Sequence, residues 1–189
     1  MNRPVQGDAP PPTRGLAGRL ALVAALLVLT PASTMAQGQS LNGTIDAVVI
    51  GGSMSFNTLQ NLAFGTVPRG VATTVLRNAA GAAKVQVTGS SNAFAQIRFT
   101  LPSQLVNIQA LPGITMPISF AANSAGWNRD NDDPGGGTAF NPAVGVNNAR
   151  FGPPPRPYLW VYLGGTVNPA PAQAPGIYQG SIVLTITYL

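Results

Sequence analysis

The 189 residues carry ten Lys and Arg against five acidic residues, a formal net charge of +5, with no histidine and no cysteine. All five acids are Asp, so thiolate, imidazole and Glu chemistry are missing together, which removes most nucleophilic triads and transition-metal sites. Only 8% of the chain is charged, and the basic residues are scattered without aromatic interleaving, which gives nucleic-acid binding little support.

Taken in chain order, residues 1–36 have the pattern of a signal peptide. Arg14 and Arg19 precede an apolar run over 20–29. As a helix that run is about 15 Å long, too short for a bilayer core of about 30 Å. The sequence PASTMA follows, with Thr34 and Ala36 at the small-residue positions of a cleavage site, so cleavage is expected after Ala36. The remaining 153 residues suit one domain with its own core, and no other segment is apolar enough to span a membrane. Seven basic residues against Asp46, Asp130, Asp132 and Asp133 leave the mature chain at +3. Without cysteine, an exported chain must draw its stability from packing and pairing alone.

Gly, Pro, Thr and Val are abundant after residue 36, in short apolar alternations with no sustained 3.6-residue period. This predicts an all-β fold, an immunoglobulin-like β-sandwich. Strands are expected at 41–50, 53–58, 62–67, 73–76, 83–88, 95–101, 114–121, 158–163 and 179–189. Gly51-Gly52, Pro68, Gly81, Gly89, Pro102, Pro112-Gly113 and Gly164-Gly165 punctuate them. The stretch 122–157 contains NRDNDDPGGG and GPPPRP and is expected to decorate the surface, with short strands near 138–140 and 144–146. PPPRP is expected to form a stiff loop.

Two segments stand out. In the N-terminal extension, 37–50, Leu41, Gly43, Ile45, Ala47 and Val49 fall on one face of a strand, and Gly51-Gly52 then separates it from the body, 51–189. It is either the domain's own first strand or a segment given to a neighbour. In the closing sequence GIYQGSIVLTITYL, Ile182, Leu184, Ile186 and Tyr188 alternate with Val183, Thr185, Thr187 and Leu189, so one face is wholly apolar.

The position of Gly176, fourteenth from Leu189, and the penultimate Tyr188 resemble the C-terminal motif of chaperone–usher pilin subunits. The wider ending, YLWVYLGGTVNPAPAQAPGIYQGSIVLTITYL, together with NLAFGTV at 61–67, resembles the DUF4402 family of exported bacterial proteins. The resemblance covers the two ends of the domain and matches the middle, about 79–157, only loosely. It implies a sandwich lacking one strand, with Gly176, Tyr178, Ile182, Leu184, Ile186, Tyr188 and Leu189 forming the strand that a chaperone and then a neighbour engages. Leu41, Gly43, Ile45, Ala47 and Val49 would be the donated strand. The implied partners are copies of itself or related subunits in a homopolymer, a periplasmic chaperone and an outer-membrane usher. The implied route runs through the periplasm to the cell surface, in adhesion or biofilm, with no cofactor. A bare sheet edge needs main-chain partners, which an extended segment supplies by β-augmentation. Burying Leu41, Ile45 and Val49 would contribute about 1.5–3 kcal/mol each, comparable in sum to a domain's net stability of about 5–15 kcal/mol. The pilin pattern often includes a disulfide, which this chain cannot form.

The remaining chemistry lies in one loop. Asp130, Asp132 and Asp133 sit beside Asn128 and Asn131, a set of oxygen ligands suited to Ca²⁺ or simply a solvated turn. The glycine an EF-type loop needs is missing, and no Glu closes it. Trp127 is a candidate stacking platform for a sugar. Three Asp within four residues on one loop do not flank a substrate as glycosidase acids must, so an enzyme is not expected. The alternative to a structural subunit is a stand-alone secreted binding module, a carbohydrate or surface adhesin. That would bring Trp127, Trp160 and the Asp loop together. The export signal gives the first test: mass spectrometry of the mature protein should find Gln37 at its N-terminus, and a mature form still containing 20–29 would refute the cleavage.

Overall fold

A computed structural model of the chain describes residues 41–50, 53–109, 114–129 and 131–189. The expected signal peptide, residues 37–40, Gly51-Gly52, Pro112-Gly113 and Asp130 lie outside the described residues. Among the described residues there are fourteen strands and no helix: β1 (Leu41–Ile50), β2 (Ser55–Gln60), β3 (Leu62–Ala63), β4 (Thr73–Val75), β5 (Ala83–Thr88), β6 (Phe94–Thr100), β7 (Gln104–Asn107), β8 (Thr115–Ser119), β9 (Ala125–Asn128), β10 (Thr138–Phe140), β11 (Val146–Arg150), β12 (Tyr158–Leu163), β13 (Gly165–Val167) and β14 (Tyr178–Tyr188).

Period-two alternation drives the layering. In β5, Ala83, Val85 and Val87 are buried while the residues between them are half-exposed, and β14 repeats this with Ile182, Leu184 and Ile186. These side chains join Leu159 and Val161 of β12 and Ala95 and Ile97 of β6 in one core. Phe99 of β6 stacks on Phe140 of β10 at 6.2 Å, tying the two layers together. The fold is therefore all-β and sandwich-like. One sheet has five strands in the order β10-β9-β12-β5-β2. The other has nine, with β11-β6-β14-β7-β8-β13-β4 as its main path and β1 and β3 on a branch.

The chain passes between the sheets at one residue. Gly164 separates β12 in the five-stranded sheet from β13 in the nine-stranded one. A Cβ there would collide with the carbonyl oxygen of Val75, so only glycine lets β4 come this close.

The strand β14 is bonded along both edges. On one, β6 pairs antiparallel from Val183 opposite Thr100 to Tyr188 opposite Ala95. Past a jog at 101–103, β7 continues that line at Tyr178 and Gln179. On the other, β1 runs parallel for ten consecutive pairs, from Leu41 beside Tyr178 to Ile50 beside Thr187.

The stretch 122–157 is more than surface decoration. It contains β9, β10 and β11, and β9 is an inner strand between β10 and β12. AGWN is only four residues long, and its place is set by backbone pairing rather than by alternation. The same reason hides β7 and β13, the latter beginning at a glycine expected to break structure. The expected strand at 62–67 shortens to Leu62–Ala63, although Phe64 and Val67 remain buried. The one near 144–146 starts at Val146 and runs to Arg150. GPPPRP closes as a turn, with Arg156 N donating to Pro153 O at 3.0 Å.

Leu184 is fully buried at the middle of β14. Leu184→Ala should lower stability by about 2–5 kcal/mol, whereas Val106→Ala, at a site 49% exposed, should change it by less than about 0.5 kcal/mol. Denaturant unfolding checks this: the midpoint should move in the first variant with little change in slope.

Candidate functional site

The residues singled out at the two chain ends meet along one sheet edge. Parallel register sets Gly43 beside Gly180, Ile45 beside Ile182, Ala47 beside Leu184 and Val49 beside Ile186. Ile45 is half-buried and packs against the core. Gly43 is buried, and a Cβ there would rest 3.6 Å from Ile182 Cδ1 and 3.6 Å from Leu62 Cβ. The space takes a methyl group in ordinary contact, and a larger side chain must find its room beside Ile182 and Leu62. Among the described residues β1 also pairs with β3, at Asn42–Ala63 and Gly43–Leu62.

Each marked residue of the C-terminal segment has a local physical role. Gly176 has φ of +144°, and a Cβ on it would lie 2.5 Å from Asn107 Nδ2. Both facts demand glycine. Asn107 is buried, donates to Pro175 O at 3.2 Å and accepts from Gln109 N at 2.9 Å, so it anchors the entry to β14. Tyr178 is fully buried. Its hydroxyl donates to Ala174 O at 2.7 Å and accepts from Gln173 Nε2 at 2.6 Å, and that same amide reaches Thr115 O. Tyr188 packs its ring on Phe151 at 5.6 Å and accepts a hydrogen bond from Ser90 N at 2.7 Å. Leu189 lies just past β14, exposed, with its N–H on Phe94 O at 3.0 Å. Gln173 and Asn107 escaped sequence reasoning because a buried amide has no periodic signature.

The acidic loop folds over the outer face of the five-stranded sheet. Asp132 accepts from Tyr162 OH at 3.1 Å and pairs with Lys84 Nζ at 2.8 Å. Asp133 Oδ1 accepts from the N–H groups of Gly135 and Gly136, each at 3.0 Å, a side chain that mimics a turn. Asn128 donates to Asn131 Oδ1 and to Asp133 O. Both described carboxylates are thus held by protein donors, and among the described residues no three acidic side chains converge on a metal position. Tyr162 is 1% exposed beneath this loop. Burial first, then the charge and hydrogen bond of Asp132 and the charge of Asp133, push its phenol well above the ordinary value.

Trp127 and Trp160 are not brought together. Trp127 pairs with Val161, whose side chain is buried, and Trp127 packs on the core. Trp160 pairs with Asn128 and Gln86, on the other face, and meets Tyr158 edge-on at 6.3 Å. Period two sets these side chains on opposite faces, so Trp127, Trp160 and the acidic loop do not form the combined site expected of a binding module, and such a module would have to use another surface.

The Tyr162 environment has a signed consequence. The native state holds the phenol proton more tightly than the unfolded chain, so its stabilising share is intact below the ordinary value of 10.0 and declines as pH rises above it. Wild-type stability should therefore fall more steeply above about pH 10 than that of Tyr162→Phe, as read from denaturant midpoints across pH. Asp132→Ala should cost about 1 kcal/mol through the lost phenol bond and the exposed ion pair. In neither protein should millimolar Ca²⁺ move the melting temperature.

Compared with known proteins, the chain matches no family model, and no curated protein matches it.

Proposed function

We propose that the protein is an exported structural subunit of a pilus-like or surface assembly, joined to its neighbours by exchange of the N-terminal strand and serving adhesion or biofilm. The observation that carries this reading is the ten-residue parallel pairing of β1 with β14, set against the two pairs that β1 makes elsewhere. Removing β1 bares the whole edge of the strand that carries Ile182, Leu184 and Ile186. A neighbour's copy of the same segment restores the same contacts. Exchange of an identical element between copies leaves every pair unchanged and turns it from internal to intermolecular, a low-cost route to assembly. The resemblance of Gly176 and Tyr188 to the pilin C-terminal motif supports the same reading, with a periplasmic chaperone and an outer-membrane usher as partners during export to the cell surface.

One observation favours a second reading. In this chain β1 closes its own sheet, which is what a stand-alone secreted binding module, a carbohydrate or surface adhesin, would need.

A protein lacking residues 37–49 separates the two. Under the assembly reading it unfolds at lower denaturant than the parent, and a synthetic peptide of that segment restores the midpoint. The intact protein forms discrete oligomers when refolded at high concentration. Replacing Gly43 with Leu slows peptide capture, because a Cβ there already touches Ile182 and Leu62 and a branched side chain adds bulk to that buried contact. A truncated protein that stays monomeric with an unchanged midpoint rejects strand exchange and leaves the binding-module reading in place.

A further inference from the structure

We propose that a cleft at the end of β4 binds a small carboxylate-bearing polyol, an acidic sugar unit, with Arg77 as its anchor. The cleft measures about 210 Å³ and is lined by Thr74, Arg77, Asn78, Asn123, Ser124 and Thr166 among others. It is smaller than the roughly 300–1,000 Å³ that accommodates drug-sized ligands, and it suits a single ring.

Arg77 is under-used by the fold. Its guanidinium has five donors in a rigid planar fork. Among the described residues it makes one hydrogen bond, a long one of 3.4 Å from Nη2 to Gly137 O, and its Nε is buried with no partner. Among the described residues no carboxylate lines the cleft, and their ion pair, Lys84–Asp132, lies elsewhere. The side chain is nevertheless given a place. It crosses Gly126 so closely that a Cβ there would stand 2.8 Å from Nε and 3.0 Å from Cδ.

The surrounding groups match a sugar. Asn78 and Asn123 present exposed amides, which donate and accept. Ser124 Oγ donates to Ala121 O at 2.8 Å and keeps its lone pairs for an incoming hydroxyl. Thr74 and Thr166 share one hydrogen bond at 2.8 Å, leaving further acceptor capacity on both oxygens. A guanidinium fork pairs bidentately with a planar carboxylate, and the amides and hydroxyls fit ring hydroxyls that act in both senses. Two strands, β7 and β8, separate β13 from β14, so the cleft stays formed whether β1 is seated in its own chain or in a neighbour's.

The test uses ¹⁵N-labelled protein comprising residues 37–189, titrated with glucuronate, glucose or inorganic phosphate. Glucuronate should give saturable shifts confined to residues 74–78, 121–124 and 165–166. Glucose should give none, and phosphate should bind at least about tenfold more weakly because it lacks the ring hydroxyls. Arg77→Gln should abolish the glucuronate shifts, and Arg77→Lys should weaken binding about tenfold, since an ammonium cannot form the fork. Absence of saturable shifts, equal binding of phosphate, or unaltered binding by Arg77→Gln would overturn the assignment. If Arg77→Gln does not fold, Asn123→Ala, a change at an exposed residue, decides instead: affinity reduced several-fold supports the site, and unchanged affinity rejects it.

Discussion

The structure depends on the demand of one strand for partners on both edges. A strand in the body of a sheet leaves a row of N–H and C=O groups bare if either neighbour is missing. β14 carries Tyr178, Ile182, Leu184 and Ile186 into the core, so its position governs the packing of both layers. One edge is satisfied by the kinked line of β6 and β7, two strands of the body that are themselves distant from β14 in sequence. The other depends on β1, a segment from the opposite end of the described chain. All the pairings of β14 are long-range, and loop-closure cost grows slowly with length, so β1 differs from the others in being a terminal segment of the described chain, the kind of element that copies can exchange at low cost.

The features around β14 serve this arrangement. Gly176 lets the chain turn against Asn107 before the strand begins, and Tyr178 closes a buried polar cluster with Gln173. Tyr188 holds the strand's far end to Ser90 and Phe151. A residue pattern that resembles a recognition motif is thus also a set of structural anchors at each end of one strand. The anchoring suits the proposed strand exchange, because a partner that docks on a strand edge needs that strand held in fixed register.

The acidic loop and the Arg77 cleft illustrate opposite uses of charge. Asp132 and Asp133 are spent on holding a loop against Tyr162 and Lys84, so their close spacing in sequence reflects turn geometry. Arg77, among the described residues, is left with donors to spare beside a cleft of mixed polar and apolar lining. An ion held by internal partners stabilises a fold, whereas one lacking them is available to an anion from outside. A subunit joined through β14 and carrying a separate cleft would combine assembly and recognition in one domain.

Alternation and punctuation by themselves determined the all-β class, the two-layer arrangement and the apolar face of the last strand. The strand 83–88 was legible to the residue because burial of every second side chain repeats in the sequence, and 158–163 because an apolar run is bounded by Pro157 and Gly164. The strand at 41–50 was legible as well, but its partner was not, since own-strand and donated-strand pairing use the same residues. Only tertiary structure decided that β1 lies parallel to β14, that AGWN is an inner strand, and that Trp127 and Trp160 occupy opposite faces. It alone also brought Arg77, 44 or more residues before its cleft partners at Ala121, Asn123 and Ser124, to their side. Those features are fixed by backbone pairing and long-range proximity, which are set by the register of whole sheets and leave no periodic mark on the chain.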